Sequence, residues 1–304
     1  MFRLFLIVAS LFSGLAYGNS IHQLCVNDYA ECKNQLQDAY PSVKPQGINW
    51  YRFKLYELDS LFHLQQSQEL RDVLDDLAQL NDIPLFVQLK MDVMNAKLYW
   101  GPNPQLSLYH QERAKKTFEA VLKTGNDPKV LVDYANLHLY LNQYDVGIRL
   151  LQRLQERFAE HGNAFIRASI AANLGNFYMK KDWIEKAKVQ YKYAMTASSG
   201  TALVNLEIVS HYNYARAHQR LEQLEEAIPL FQQARQVAKR GGNEQLASLS
   251  ELRLGQIQLQ LGNFDKAFGH ANALKDMSPP DYIMGEVDKL FDDASAALRE
   301  QSKN

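Results

Sequence analysis

These 304 residues carry no H-E-x-x-H, no G-x-S-x-G, no glycine-rich phosphate loop and no cysteine-histidine arrangement with a catalytic context. No enzyme and no cofactor are expected. Cysteine is nearly absent, with Cys25 and Cys32 the only two. They stand seven apart with no nearby histidine pair, which is poor spacing for metal ligands, so no metal is expected either. Helix breakers are scarce: 15 Gly and 9 Pro leave room for a mostly helical chain. Net charge is −1, which lacks the basic footprint that nucleic acid demands. With 46% hydrophobic and 22% charged residues, the composition is that of a packed protein and not of a disordered one.

The N-terminus holds an export pattern. Arg3 supplies a positive start, Leu4 to Leu15 form an apolar run, and Ala16-Tyr17-Gly18 places small residues where a signal peptidase reads. The run is shorter than the roughly 20 residues of a membrane-spanning helix. Residues 1–18 are therefore read as a signal peptide cleaved after Gly18, leaving no membrane span, with an uncleaved anchor as the alternative. The predicted location is the bacterial periplasm. In an oxidising compartment Cys25 and Cys32 tend to pair. Along a straight helix seven residues would separate their Cα atoms by about 10.5 Å, beyond the ~7 Å a disulfide spans, so a bridge requires a turn between them. Two reduced thiols packed on one helical face are the alternative.

What fills the rest of the chain is a repeat. Small residues Ala135, Gly175, Ala215 and Gly255 recur at intervals of 40, and Gly147, Ala187, Ala227 and Ala267 keep the same step. A constant period means stacked units that bury their apolar faces against one another, giving one elongated body. The clearest unit runs Ala171-Ala172-Asn173-Leu174-Gly175-Asn176-Phe177-Tyr178, breaks at Lys181-Asp182, and continues through Ala187 to Tyr191 and Ala194. Its apolar residues are spaced by three and four on two successive helices. Gly175 and Ala187 are expected where the helices cross most closely. Gly125-Asn126, Gly162-Asn163, Ser199-Gly200 and Gly241-Gly242-Asn243 supply stop signals between units. Pro229 sits inside a predicted helix, where its damage stays in the early turns if that helix starts near Leu224.

Leu174-Gly175, Tyr178, Ala187 and Tyr191, with Tyr214-Ala215, His218, Ala227 and Phe231 one period later, resemble the tetratricopeptide repeat. The signature Trp is replaced by Ala171, the closing Pro is missing, and 40 residues exceed the family's usual ~34. The resemblance implies an all-α, right-handed solenoid of five to seven antiparallel helix pairs. The organisation expected is a signal peptide at 1–18, a cysteine-containing segment at 19–48, degenerate helix pairs at 49–125, tetratricopeptide repeats at 126–278 and a capping helix at 279–304.

In this family the first helices line a concave groove. The candidate groove residues, read in columns one period apart, are Asn136, Asn173, Asn176, Met179, Lys180, Tyr212, Asn213, Arg216 and Arg220. Asparagine offers a donor and an acceptor, so a ladder of it suits the backbone of an extended peptide. The competing reading is a solvated row, or residues facing the seam between units. His138 and His218 share a column but lie two helix spacings apart, too far to share a metal, and are read as core imidazoles. The expected role is a non-catalytic periplasmic adaptor or scaffold holding a protein or peptide. The alternative is a sensor of a small ligand or peptide that relays to a membrane signalling protein of diguanylate cyclase or histidine kinase type.

Overall fold

The structure is a computed structural model that describes residues 21, 24, 25, 28–124, 127–160, 162–277 and 279–302. The signal-peptide reading of residues 1–18, the cleavage point and the Gly125-Asn126 stop lie outside the described residues. The described residues form fourteen α-helices and no strand. The chain divides into two compact units, residues 1–154 and 155–304.

The first unit holds α1 (Tyr29–Ala39), α2 (Ile48–His63), α3 (Ser67–Ala78), α4 (Leu85–Tyr99), α5 (Pro104–Thr124), α6 (Pro128–Tyr140) and most of α7 (Tyr144–Phe158). Helices α2, α4 and α6 open successive pairs, and each packs on the next. Cys25 and Cys32 are joined by a disulfide, with Cα atoms 4.6 Å apart. The break between them is built by Asp28, whose extended backbone and side chain cap the N-terminus of α1. Both sulfurs lie in an apolar cluster with Leu36 and Phe53. The reduced-thiol alternative is overturned.

The second unit holds α8 (Ala164–Lys180), α9 (Ile184–Ser198), α10 (Val204–Arg220), α11 (Leu224–Arg240), α12 (Glu244–Gln260), α13 (Phe264–Asp276) and α14 (Asp281–Gln301). First helices α8, α10 and α12 pack successively, and each second helix packs on the next first helix.

The register of the repeat is set at the turns. Asn142, Asp182, Glu222 and Gly262 stand one period apart, and each adopts positive φ, between 56° and 75°. In every case the next residue's N–H reaches back to a carbonyl five residues earlier: Gln143 to His138, Trp183 to Tyr178, Gln223 to His218 and Asn263 to Gln258. This left-handed closure satisfies orphan carbonyls and reverses the chain within three residues. Gln65 repeats it between α2 and α3, with Gln66 bonding back to Leu61.

Small residues lie where helices cross. A Cβ on Gly175 would lie 2.4 Å from the Tyr191 ring of the paired helix, and one on Gly255 equally near Leu290 of α14. Ala135, Ala215, Ala187, Ala227 and Ala267 are fully buried. Helix α11 runs unbroken through Pro229 because it starts at Leu224, so only one intrahelical donor beyond the free first turn is lost.

Candidate functional site

The side chains facing across successive first helices are the candidate site, and the two units use them differently. In the first unit they build a charged network. Lys90 of α4, only 1% exposed, is ion-paired with Asp59 of α2 and Asp133 of α6. Lys129, one turn before Asp133, pairs with Asp59 and lies 3.4 Å from Asp133. A buried charge survives only when compensated, and here two ammonium groups neutralise two carboxylates. Burial works against ionisation of both acids. Lys129 and Lys90 outweigh it and hold Asp59 and Asp133 below the usual carboxylate range. The same two acids lift Lys129 well above the ordinary lysine value despite its own burial.

Beside this network stands Lys97, near the end of α4. Its ammonium lies 4.7 Å from the centre of the Phe62 ring and 5.3 Å from that of Tyr140, so the rings of α2 and α6 flank it. Burial brings its pKa down to about 8, partly offset by Asp133. Tyr29 of α1 stacks on His63 at 4.1 Å, nearly parallel, and covers one side of the cluster. Its phenol is pushed up to about 12 by burial and by Asp59. Asn136, between Asp133 and Tyr140 on α6, is partly buried, and its side-chain oxygen has no partner.

In the second unit the rows are largely taken up by neighbouring helices. Asn176 accepts a hydrogen bond from the Tyr191 hydroxyl at 2.8 Å, tying α8 to α9. Asn173 donates to the Ser169 carbonyl of its own helix. Arg220 pairs with Asp182 of the preceding repeat at 2.7 Å. Two periods after Asn173 and Asn176, Arg253 and Gln256 both reach Glu286 of α14. Tyr212, read as a groove aromatic, is 6% exposed and packs edge-on against Phe231 in the core. That column lies one step too far toward the core to reach a ligand. Met179, Asn213 and Arg216 remain partly exposed on adjacent first helices α8 and α10, and Lys180 is exposed at the end of α8.

Of the histidines at the signature position, His138 is buried as expected, whereas His218 is only partly buried. His138 donates to or accepts from Gln143 at 2.7 Å and meets Tyr134 edge-on, and His218 meets Tyr214 in the same way. Burial lowers the pKa of both, so they stay neutral at pH 7. Two other buried acids bind histidines of the second helices. Asp92 accepts from His110 at 2.8 Å, and Glu251 accepts from His270 at 2.8 Å while pairing with Arg235 of α11. Burial alone would raise Glu251, but the hydrogen bonds from His270 and Arg235 hold it below the usual range. Among the described residues no three His, Cys, Asp or Glu side chains converge as metal ligands do. None of the described helices is long and apolar enough to cross a membrane.

Sequence reasoning missed Lys90, Asp59, Lys129 and Lys97. A usable signal existed: Lys90 interrupts the run Phe86-Val87-Gln88-Leu89-Lys90-Met91, where a charge on a buried face demands a partner.

Helix pairs closed by the same left-handed turn, with small residues at each crossing, define an α-solenoid of helical hairpin repeats. Residues 206–277 match the family model of the tetratricopeptide repeat, and the all-α fold of the described residues is of the tetratricopeptide-repeat type. None of the curated proteins compared matches the sequence. Many solved structures share the fold, three of which illustrate it. A Rap protein complexed with Competence and Sporulation Factor is 13% identical with a TM-score of 0.58, covering 90% of this chain and 77% of that one. A signal transduction ATPase with a tetratricopeptide repeat sensor from Pyrococcus horikoshii is 14% identical with a TM-score of 0.63, covering 92% of this chain and 46% of that one. Kinesin light chain-like repeats from Podospora anserina are 15% identical with a TM-score of 0.53, covering 64% of this chain and 96% of that one. At such identities the likeness shows the fold alone. The fold suggests interaction with proteins or peptides, and repeats of this type are generally non-catalytic scaffolds.

Proposed function

We propose that this protein is an exported, non-catalytic adaptor or scaffold that holds a protein or extended peptide against the first helices of its second unit. The observation that carries this reading is the set Met179, Asn213 and Arg216. They are partly exposed on neighbouring first helices, while the flanking Asn176 and Tyr212 are taken up by Tyr191 and Phe231 and the exposed Arg220 pairs with Asp182. An apolar contact beside an amide and a guanidinium suits a peptide backbone with an acidic or polar side chain. A structure of the same fold is complexed with Competence and Sporulation Factor, which agrees with a binding role for such an array. Export is supported by the leader pattern of residues 1–18 and by the Cys25–Cys32 disulfide, a bond that persists in oxidising compartments. The periplasm fits both.

The test uses a partner captured from the cell envelope and then purified. Its affinity is measured by calorimetry for the parent, for Asn213→Ala plus Arg216→Ala, and for Gln232→Ala plus Gln236→Ala on the outer side of α11. Loss of at least tenfold in the first variant alone is expected. Equal binding by all three proteins would defeat the assignment.

A further inference from the structure

The outer side of α9 carries an apolar stripe. Trp183 at the N-cap of α9 is 40% exposed, and Val189 and Tyr193, four residues apart on the same helix, are 62% and 46% exposed. The neighbouring repeats show that the fold does not require them. One period on, these positions are Gln223, Pro229 and Gln233, and two periods on they are Asn263, Gly269 and Ala273. The same helix is basic, with Lys186, Lys188 and Lys192 against Glu185 as its only acid, and Lys180 and Lys181 stand just before it at the end of α8. Lys186 and Lys181 lie over the Trp183 ring at 4.5 and 5.2 Å, so the apolar stripe is rimmed by positive charge.

A complementary surface exists on the same unit. Helix α14 has five acids against one lysine between residues 281 and 293. Asp288, Asp292 and Asp293 are exposed, and with them stand Tyr282 at 65% and Met284 at 37% exposure. The two helices do not meet within the chain, since α9 packs on α8 and α10 whereas α14 packs on α12 and α13.

We infer that a second copy of this chain covers the stripe, its acidic α14 docking on the basic aromatic face of α9. Charge complementarity sets the orientation: lysines 186 and 192 face Asp288 and Asp292, while Tyr282 and Met284 meet the Trp183, Val189 and Tyr193 side chains. The two surfaces differ, so the contact is heterologous and propagates head to tail instead of closing as a two-fold dimer. This inference goes beyond the adaptor reading and stands or falls independently of it.

Sedimentation equilibrium of the full protein across concentration and salt tests it. The parent's average mass rises with concentration and falls as salt screens the charges. K186E with K192E, and separately D288K with D292K, remain at the single-chain mass, whereas an equimolar mixture of the two regains association because each supplies the charge the other lost. Circular dichroism confirms that both variants fold, and the parent's own concentration and salt dependence needs no variant. A parent that stays at single-chain mass at every concentration, or variants that assemble as the parent does, would overturn the inference. So would a single-chain parent that co-sediments with phosphatidylglycerol vesicles through Lys186 and Lys192, since the stripe would then face a membrane.

Discussion

Replacing Lys90 by Met removes the cation that joins α2, α4 and α6, and the structure allows its cost to be bounded. Lys90 is 1% exposed and pairs with both Asp59 and Asp133. Methionine matches the aliphatic stem, so little packing is lost and the effect is electrostatic. Breaking a buried pair by removing one partner costs about 3–5 kcal/mol, because the remaining charge is left uncompensated. Lys129 still reaches both carboxylates, so the lower end applies, roughly 3 kcal/mol. That is a large fraction of the ~5–15 kcal/mol that holds a typical protein folded. Urea unfolding followed by far-ultraviolet circular dichroism, with the slope checked for two-state behaviour, measures it. The double change Lys90→Met and Asp133→Asn removes one charge of each sign, leaves Lys129 paired with Asp59, and recovers at least half of the loss. A Lys90→Met protein within about 0.5 kcal/mol of the parent, the ordinary range for a surface substitution, would refute the network's role.

Two further outcomes follow from the first unit. Asp59 and Asp133 have folded pKa values below their unfolded ones, so their stabilisation is present above about pH 4 and is lost as pH falls through the folded values. Lys97 has a folded pKa near 8, below its unfolded value, so the unfolded chain binds more protons and stability rises between pH 8 and about 10. Above that, Tyr29, Tyr56 and Tyr134, each raised to about 12, hold protons longer when folded, and stability falls. Urea midpoints across pH check the pattern, and Lys97→Met flattens the rise; a rise that survives Lys97→Met would assign it to another group. Reducing the Cys25–Cys32 bond opens a loop of sequence separation 7. Chain entropy predicts a loss of about 2.5 kcal/mol, read as a lower melting temperature in reductant, and no shift would mean that α1 is held by packing alone.

The repeat and its helix pairs were legible because local pattern encodes them. Gly175 announces a close crossing, and the structure puts Tyr191 there. The turns were half legible: Gly262 invites positive φ, but Asn142, Asp182 and Glu222 adopt it under the same hydrogen-bond closure without glycine. The candidate site was read less well. Asn176 and Arg220 were placed on the right helices, yet their partners Tyr191 and Asp182 lie 15 and 38 residues away. Periodicity says which face a residue occupies and not what meets it there. The Lys90 network joins positions up to 70 residues apart, which no local window contains. Tyr212 shows the finer limit, for one helical step of about 100° separates a groove residue from a core residue.

The central claim is that the 40-residue step brings small side chains to successive helix crossings. Substituting Leu singly at Ala135, Gly175, Ala215 and Gly255, with Lys180→Leu as the exposed control, and measuring unfolding free energy for each, tests it most directly. Every member of the column is expected to lose about 1–3 kcal/mol or more through overpacking, while the control changes by less than ~0.5 kcal/mol. Column positions that accept Leu as readily as Lys180 does would contradict the account.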